Sequence, residues 1–581
     1  MTTHHAAHRA DPSTPTPRRC LAFAIVIALA LAVPIAIAAR ILPEEALEHM
    51  LSLNPFGNSR RLGLYLFAAL AFIIGVPALY LIFRHAGSAL EKLDGWHLPR
   101  ALQFPLNTRG VLCATGIIAI LWLPVFIMMA PGATTHYDTI NQLYQYFTSA
   151  PTYYTATHEV VNAEFIDHHP VFDTLVMGAF VSLGRAFGSD MAGFALYTTF
   201  QGLLLAFELA LCICYLERLG VPSAIRLALV VMVGIFPSFP IIADTMQKDS
   251  LHMVALVPWF LYFAEAIRSE GAALRDLRFI IAFIVFGILV ILTKKTGMYL
   301  MIASLIVLLF ALRGLWVQKG AVLLVPLLIG QVLFPAIAFP ALNVAPGGSQ
   351  EMVGMLYQHT VTSYRVHPDS FSADDRKTLD RVVDLDAALS HYQWDKTDGV
   401  KNQQRENMTS EDFRAFLGVW ARHAISDPAS YARAHLRCCI RLVAPGEGIP
   451  VSGQVSKTGI KYFKEKAKEL GGTFKLDVKS WKPGQKAMKA VREATRPLFV
   501  VPPFSLPLTY GFWGGWIPIL AFGCAMFGRR RNAAMLAPFV FTALLLLISP
   551  ASLSRYLVAP IFLAPLGIGL AIGALRRERT A

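Results

Sequence analysis

Between Pro131 and Asp173 the chain reads PGATTHYDTINQLYQYFTSAPTYYTATHEVVNAEFIDHHPVFD. This stretch holds Asp138, Glu159, Glu164, Asp167 and Asp173, with His136, His158, His168 and His169 among them, and contains no Lys or Arg. A second cluster, Asp244, Lys248 and Asp249, stands in IIADTMQKDS. A third set is cationic: Lys294 and Lys295 in TKKTG, and Arg555 beside Tyr556 in SRY. Each set lies at the end of an apolar run, where a charge is costly unless paired or used, so all three are functional candidates. Carboxylates from two loops have the hard oxygen donors that suit Mg²⁺ or Mn²⁺ bridging a phosphate, with Asp138 and Asp249 as the candidate ligands. Lys294, Lys295 and Arg555 would neutralise a departing mono- or diphosphate. Asp138 stands eight residues beyond the apolar run Val111 to Ala130. That position suits a base acting at the level of lipid headgroups.

Plainer readings stand beside these. An acidic loop outside a membrane is often only solvated. His168-His169-Pro170 reads equally as the start of a helix, where Pro is at home in the first turn. Lys294 and Lys295 suit lysines reaching for headgroups, and Arg555-Tyr556 suits an interfacial anchor.

The elements that must position these residues are membrane helices. Of 581 residues, 55% are hydrophobic and 15% charged, and the mean hydropathy is +0.50. A soluble domain carries about 25% charge. Several apolar runs can cross a hydrocarbon core that needs about 20 helical residues. The formal charge of +14 therefore reads first as cytoplasmic loops and headgroup contacts, not as nucleic-acid binding. The expected spans begin Leu21–Ala39, Leu62–Phe83 and Val111–Ala130. They continue Phe194–Leu216, Leu227–Pro240, Leu251–Ile267, Phe279–Thr293, Met298–Leu312 and Ala321–Pro340, and end with Leu506–Phe527, Ala534–Ile548 and Leu557–Leu575. That is about twelve, with both termini cytoplasmic and the Lys and Arg of short loops inside. The first run is expected to be retained and not cleaved as a signal peptide. His169–Phe187 is short and carries Asp173 and Arg185. Read as a juxtamembrane helix on the outer face, it keeps that topology consistent. Most of the seven cysteines sit in apolar runs, with neither a disulfide framework nor zinc spacing.

The expected organisation is a tail with two extra helices (1–110), a transmembrane core with its catalytic loop (111–342), an extracytoplasmic domain (343–505) and C-terminal helices (506–581). Helical apolar spacing in Leu379–Tyr392 and Phe413–Leu442 makes the polar domain mainly helical, and its length suffices for a core of its own. Its segment Lys457–Arg492 carries ten lysines and one arginine against Glu465, Glu469 and Asp477. It reads either as a solvated face or as contact with anionic lipid or an acidic wall polymer.

The order of these motifs resembles the GT-C class of polyprenyl-phosphate-sugar glycosyltransferases. The matching residues are HYDT with Asp138, DHHP with Asp167, His168, His169 and Pro170, then ADTMQKD, TKKTG and SRYLVAP. The resemblance is one of pattern, over Val111 to Leu342 and the C-terminal helices. It departs from the class in several places. Many members carry Asp-Glu where this chain has Asp138-Thr139, two helices precede the core, and the polar domain is inserted before the last three helices.

The resemblance implies an all-α polytopic membrane enzyme with a GT-C-like core, in the cell membrane. It would transfer a sugar from a polyprenyl-phosphate donor to an envelope glycan, lipid or protein on the outer face, with inversion. Asp138 would be the base, assisted by Asp249 or Asp244, with His168 and His169 beside it. Lys248, Lys294, Lys295, Arg555, Tyr556 and Asp167 would hold the substrate. Rival readings are a flippase of lipid-linked glycans, a glycan polymerase or ligase, and a wall-binding scaffold. A transporter would place ionisable residues in mid-helix, where Glu208 stands almost alone.

Overall fold

The computed structural model describes residues 15–47, 60–96, 98–135, 137–154, 159–348, 350–446, 448–449, 452–497, 505–528 and 530–576. His136 and His158 of the acidic stretch lie outside the described residues, as do most of the N-terminal tail, Arg529, Arg577 and Arg579.

Apolar runs become helices because hydrocarbon leaves every backbone N–H and C=O to be paired within its own segment. Helices α1 (Pro17–Ile41) and α2 (Arg60–Asp94) pack along each other. α3 (Thr108–Met129) starts at Asn107, whose side chain accepts the Gly110 N–H at 2.9 Å. The acidic stretch then forms strand β1 (Ala133–Thr134), helix α4 (Asp138–Phe147), and strands β2 (Thr152–Tyr153), β3 (Val160–Val161) and β4 (Phe165–Asp167). α5 (Val171–Ala186) follows Pro170, as the His-His-Pro signature suggests, and packs on α6 (Asp190–Tyr215).

The expected span Leu227–Pro240 is instead α7 (Ser223–Ile235) followed, after Phe236-Pro237, by the short helix Ser238–Ala243. The proline pair Pro237 and Pro240 sets that break, because Pro lacks the N–H that continues a helix. Strand β5 (Thr245–Met246) leads into α8 (Lys248–Arg268), then α9 (Leu277–Thr293), α10 (Lys295–Ala311) and α11 (Trp316–Ala341), and strand β6 (Val344–Pro346).

Among the described residues, seven helices are long and apolar enough to cross a membrane, so this is an all-α membrane protein. Five shorter apolar helices, including α7, α9 and α10, stand at other expected spans. α7, with 13 residues, is about 20 Å long against a core of about 30 Å, so it cannot cross on its own.

The polar region does not build a single core. Its first part, α12 (Gln350–Val366) and α13 (Ser410–Ser426) with the helix Ala373–Val382 between them, shares an apolar centre of Tyr357, Val361, Leu379 and Phe416, while α14 (Pro428–Val443) packs on α12 and sends Ile440, Leu442 and Val443 into the central core. α13 and α14 are separated by Asp427, whose carboxylate caps the second by accepting the Ser430 N–H. The basic part, α15 (Lys457–Glu469) and α16 (Lys482–Thr495), packs elsewhere. Ile460, Phe463, Phe474 and Leu476 bury against Ile140, Leu143, Tyr144 and Tyr153 of the acidic stretch and Met177 of α5. Its lysines mostly face outward.

The chain closes with α17 (Phe512–Phe527), α18 (Ala537–Leu546) and α19 (Val558–Ala574). The 18-residue apolar cores of α6, α8 and α19 are 67, 72 and 78% buried, whereas those of α2, α3 and α11 are about a fifth buried. The first three therefore form the centre, around Trp259, Phe260, Phe239 and Phe562. Lipid offers no hydrophobic drive between helices, so close fit matters more than in water. A Cβ on Gly567 of α19 would sit 2.5 Å from the Phe539 ring.

Candidate active site

The central helices carry the charged residues at one set of ends, and two short parallel pairings draw the loops over them. β1 pairs with β5, matching Ala133 to Thr245 and Thr134 to Met246. The Ala133 N–H also donates to the Asp244 carbonyl at 2.9 Å. Gly132 makes this approach possible. It sits at φ +115°, and a Cβ there would lie 2.5 Å from the Thr198 methyl. Thr139 then donates its hydroxyl to the Met246 carbonyl at 2.6 Å, while its own N–H is capped by the Thr135 hydroxyl. The loop holding Asp138 is thus tied to the turn that launches Lys248 and Asp249. β4 pairs with β6, placing Asp167 beside Pro346.

Asp138 opens α4, where the helix dipole favours a carboxylate. Its Oδ2 is bonded by the Arg555 guanidinium and faces Lys248 Nζ at 3.4 Å, and its Oδ1 faces His169 Nε2 at 3.9 Å. Lys248 donates to His169 Nδ1 at 2.8 Å. A nitrogen that accepts from an ammonium bears no proton, so the neutral ring carries its hydrogen on Nε2, toward Asp138. Arg555 lies in the turn before α19, with its guanidinium 5.4 Å from the Tyr556 ring centre and its buried Nε unpartnered.

The neighbouring arm is built from α8 and the α9–α10 junction. Buried Asp249 is bonded by Lys294, and exposed Lys295 reaches Asp167 Oδ2 at 2.9 Å and the Asp167 carbonyl. His252, one turn below Asp249, bonds Thr293 at 2.8 Å and helps hold that junction. Asp173 in α5 is fully buried, has no partner for either oxygen, and lies within electrostatic reach of Lys248, Asp249 and Lys294.

Burial alone would push the Asp138 carboxyl up, yet the charges of Lys248 and Arg555, with the His169 ring beside them, outweigh it and hold it well below the usual carboxylate range. Burial, reinforced by Lys248, holds His169 well below the ordinary imidazole range, so the ring is neutral. His168 shifts the same way, chiefly by burial. Burial pushes Asp173 and Asp244 well above the carboxylate range, and Asp167 more modestly against Lys295.

The structure thus brings Asp138, His169, Lys248, Arg555 and Tyr556 into one cluster. Asp249, Lys294, Asp173, Lys295, Asp167 and His168 line its flank. Asp244 plays a different part: its backbone carries the β1 contact, and its carboxylate lies beside Thr198. The expected metal pair, Asp138 with Asp249, is a poor fit for a divalent ion. Both carboxylates are already engaged by cations, and among the described residues no group of three His, Cys, Asp or Glu side chains could hold a metal.

Asn141, Gln145, Tyr153, Tyr154 and Gln350 were not singled out from the sequence, although they line a recess next to His168. The amide pair could have been found by its helical spacing from Asp138. Nothing local marks Gln350, which arrives through the β4–β6 pairing.

What this arrangement can do is bind an anion at cations borrowed from three segments, beside a carboxylate that the anion would set free. The chain belongs to the family of unknown function DUF6020, whose match spans residues 21–580. No curated protein and no solved structure matches it.

Proposed function

We propose that this DUF6020 member is a GT-C-like glycosyltransferase, which moves a sugar from a polyprenyl-phosphate carrier to an envelope glycan, lipid or protein on the outer face of the cell membrane. One observation carries the reading. Arg555, Lys248 and Lys294, from three distant segments, converge on Asp138 and Asp249 at the ends of the central helices. In this reading the five shorter apolar helices complete twelve crossings, α7 doing so together with the short helix Ser238–Ala243, both termini are cytoplasmic, and the polar helices stand outside.

The carrier phosphate would take the place that Asp138 now fills as counter-ion to Arg555 and Lys248. Released from those cations, the Asp138 carboxylate becomes more basic and accepts the proton of an acceptor hydroxyl. The acceptor oxygen bonds the anomeric carbon as the carbon–oxygen bond to phosphate breaks, and the electron pair leaves with polyprenyl phosphate. Arg555, Lys248 and Lys294 stabilise the charge that grows on that leaving group, where one well-placed donor is worth about 10²–10³ in rate. His169 orients Asp138, and Asp249 holds Lys294. A single displacement inverts the anomeric centre.

The flippase reading rests on Glu208, buried in α6 with one oxygen unpartnered. One isolated carboxylate offers no path across the bilayer, and the charges gather at helix ends instead. The test is lipid extraction from cells lacking the protein, complemented with wild type or Asp138→Asn. The transferase predicts an accumulating polyprenyl-linked sugar and a missing surface glycan, restored by wild type alone. Full restoration by Asp138→Asn at normal membrane abundance would sink it.

A further inference from the structure

The segment joining α15 to α16 is laid as a strap across the ends of three helices. From Phe474 to Lys479 buried and exposed residues alternate, the period of an extended chain. Phe474, Leu476 and Val478 bury in the apolar cluster shared with the acidic stretch, and Lys475, Asp477 and Lys479 stand exposed. The backbone is tied down along the way. The Lys475 carbonyl accepts from the Arg185 guanidinium at the end of α5. The Asp477 N–H donates to Asp190 Oδ2 at the start of α6, at 2.8 Å, and the Trp481 N–H to the Ala130 carbonyl just past α3, at 2.9 Å. α3 has 22 residues, about 33 Å of helix against a hydrocarbon core of about 30 Å, so its last turn marks a membrane boundary. α16 packs on that end of α3, with Met488 buried beside Met129. The strap and α16 therefore lie at headgroup level.

Where the strap crosses α3 and α6 there is an open apolar groove of about 490 Å³. Ile127, Ala130 and Pro131 form one side, Met191, Ala192 and Ala195 the other, and Trp481 joins them from the strap. The apolar core of α3 is only 22% buried, so the groove opens where lipid lies. Cations run past it. Lys475, Lys479, Lys482, Lys486, Lys489 and Arg492 are exposed, against Asp477 and Glu493. Lys479 pairs with Asp477 at 2.9 Å and Lys489 faces Glu493 at 3.8 Å. Lys482, adjacent to Trp481, and Lys486, one turn on, have no acidic partner among the described residues. The opposite side of α16 exposes Ala487, Ala490 and Ala494. A helix with cations on one side and exposed apolar residues on the other suits the headgroup layer.

Together the groove and the lysines select the occupant. A soluble acidic polymer would meet the lysines and leave the groove open to no purpose. A zwitterionic lipid would fill the groove and gain little from the lysines. An anionic phospholipid uses both.

We infer that the strap and α16 hold an anionic phospholipid of the bilayer, with an acyl chain in the groove against Trp481 and the phosphate at Lys482 and Lys486. This site shares no residue with the Asp138 cluster, and it stands whether or not the protein is a transferase.

The experiment is a lipid titration of the full-length protein in detergent micelles, with bound lipids counted by native mass spectrometry. The probes are phosphatidylglycerol, phosphatidylcholine, polyprenyl phosphate and soluble polyglutamate. Wild type is expected to bind phosphatidylglycerol about 5- to 25-fold more tightly than phosphatidylcholine, the worth of one or two lysines at an anionic headgroup. The double variant Lys482→Ala, Lys486→Ala removes that preference and leaves phosphatidylcholine binding unchanged. Lys464→Ala with Lys468→Ala, equally exposed on α15, keeps it. Ala195→Phe, which fills the groove, weakens both phospholipids at an unchanged melting temperature. The lysine variants are surface changes that leave the fold intact, so the test does not hang on the phenylalanine. Equal wild-type affinity for the two phospholipids, or a preference that survives loss of Lys482 and Lys486, overturns the inference. Tighter binding of polyprenyl phosphate than of phosphatidylglycerol, lost with the same two lysines, overturns it in favour of the carrier lipid. Polyglutamate binding lost with those lysines, while phospholipid binding is unaffected, overturns it in favour of an acidic polymer.

Discussion

Helix α8 carries a charged cluster at each end, and the two are built on opposite plans. At its C-terminal end Glu265 receives Arg268 through two bonds of 2.6 and 2.7 Å, the Tyr215 hydroxyl at 2.7 Å and Arg218 at 3.1 Å. Both carboxylate oxygens are satisfied, and its strongest partner sits one turn away on the same helix. At its N-terminal end Arg555 bonds Asp138 and Lys294 bonds Asp249, but Lys248 stands 3.4 Å from Asp138, His169 faces the same carboxylate at 3.9 Å, Arg555 keeps an unpartnered Nε, and neither oxygen of Asp173 has a hydrogen-bond partner. A network that only holds helices together saturates its bonds. One that must exchange partners keeps long contacts and spare donors, and buried groups in that condition are costly unless used.

The sharpest break in this comparison is Asp138→Asn. It should lower transfer by about 10²–10⁴, the range of a general base, measured as release of polyprenyl phosphate from a glycosylated carrier. Glu265→Gln should leave that rate within about twofold while costing about 1–3 kcal/mol of stability for its disrupted charged hydrogen bonds, read by thermal unfolding. Arg555→Ala should weaken polyprenyl phosphate binding by about 10- to 100-fold, the loss of a charge-assisted bond.

A pH titration sharpens the contrast further. The folded protein keeps His169 neutral and well below its ordinary value, whereas the unfolded chain takes up that proton near pH 6.5. Stability is therefore full above about pH 6.5 and falls as pH drops below it. Asp138, also depressed, adds a second loss below about pH 3.8. His168 is depressed as well and shares in that first decline, so His169→Gln should make it shallower without abolishing it and leave the second, followed by melting temperature against pH. The smallest effect belongs to the basic helix. Lys461 and Glu465 are both largely exposed, so Lys461→Ala should change stability by less than about 0.5 kcal/mol.

Much of this was legible in the chain. Long apolar runs gave α1, α2, α3, α6, α8, α11 and α19 because lipid leaves no alternative to helix. Charges at the ends of apolar runs marked Lys248, Lys294, Lys295 and Arg555 as candidates for a phosphate; that they rest against Asp138, Asp249 and Asp167 is what the structure adds. The pairings themselves could not be read. Arg555 and Asp138 are 417 residues apart, and β1 and β5 are two-residue strands without any alternating pattern. The division of the polar region was hidden for a similar reason. Ile460 and Phe463 are spaced as a helix face, yet their partners, Leu143 and Tyr144, lie on the far side of several membrane helices in sequence. The recess escaped notice because amides and tyrosines draw attention only once they share a wall.

The most direct measurement compares the two ends of α8 by polyprenyl phosphate affinity, in nanodiscs, for wild type, Lys248→Ala, Lys294→Ala, Arg555→Ala, Arg218→Ala and Arg268→Ala. The account predicts that the first three variants each lose about tenfold or more, while the last two bind as wild type does. Equal affinity across all of them, or losses confined to Arg218 and Arg268, would contradict a lipid-phosphate site at Asp138.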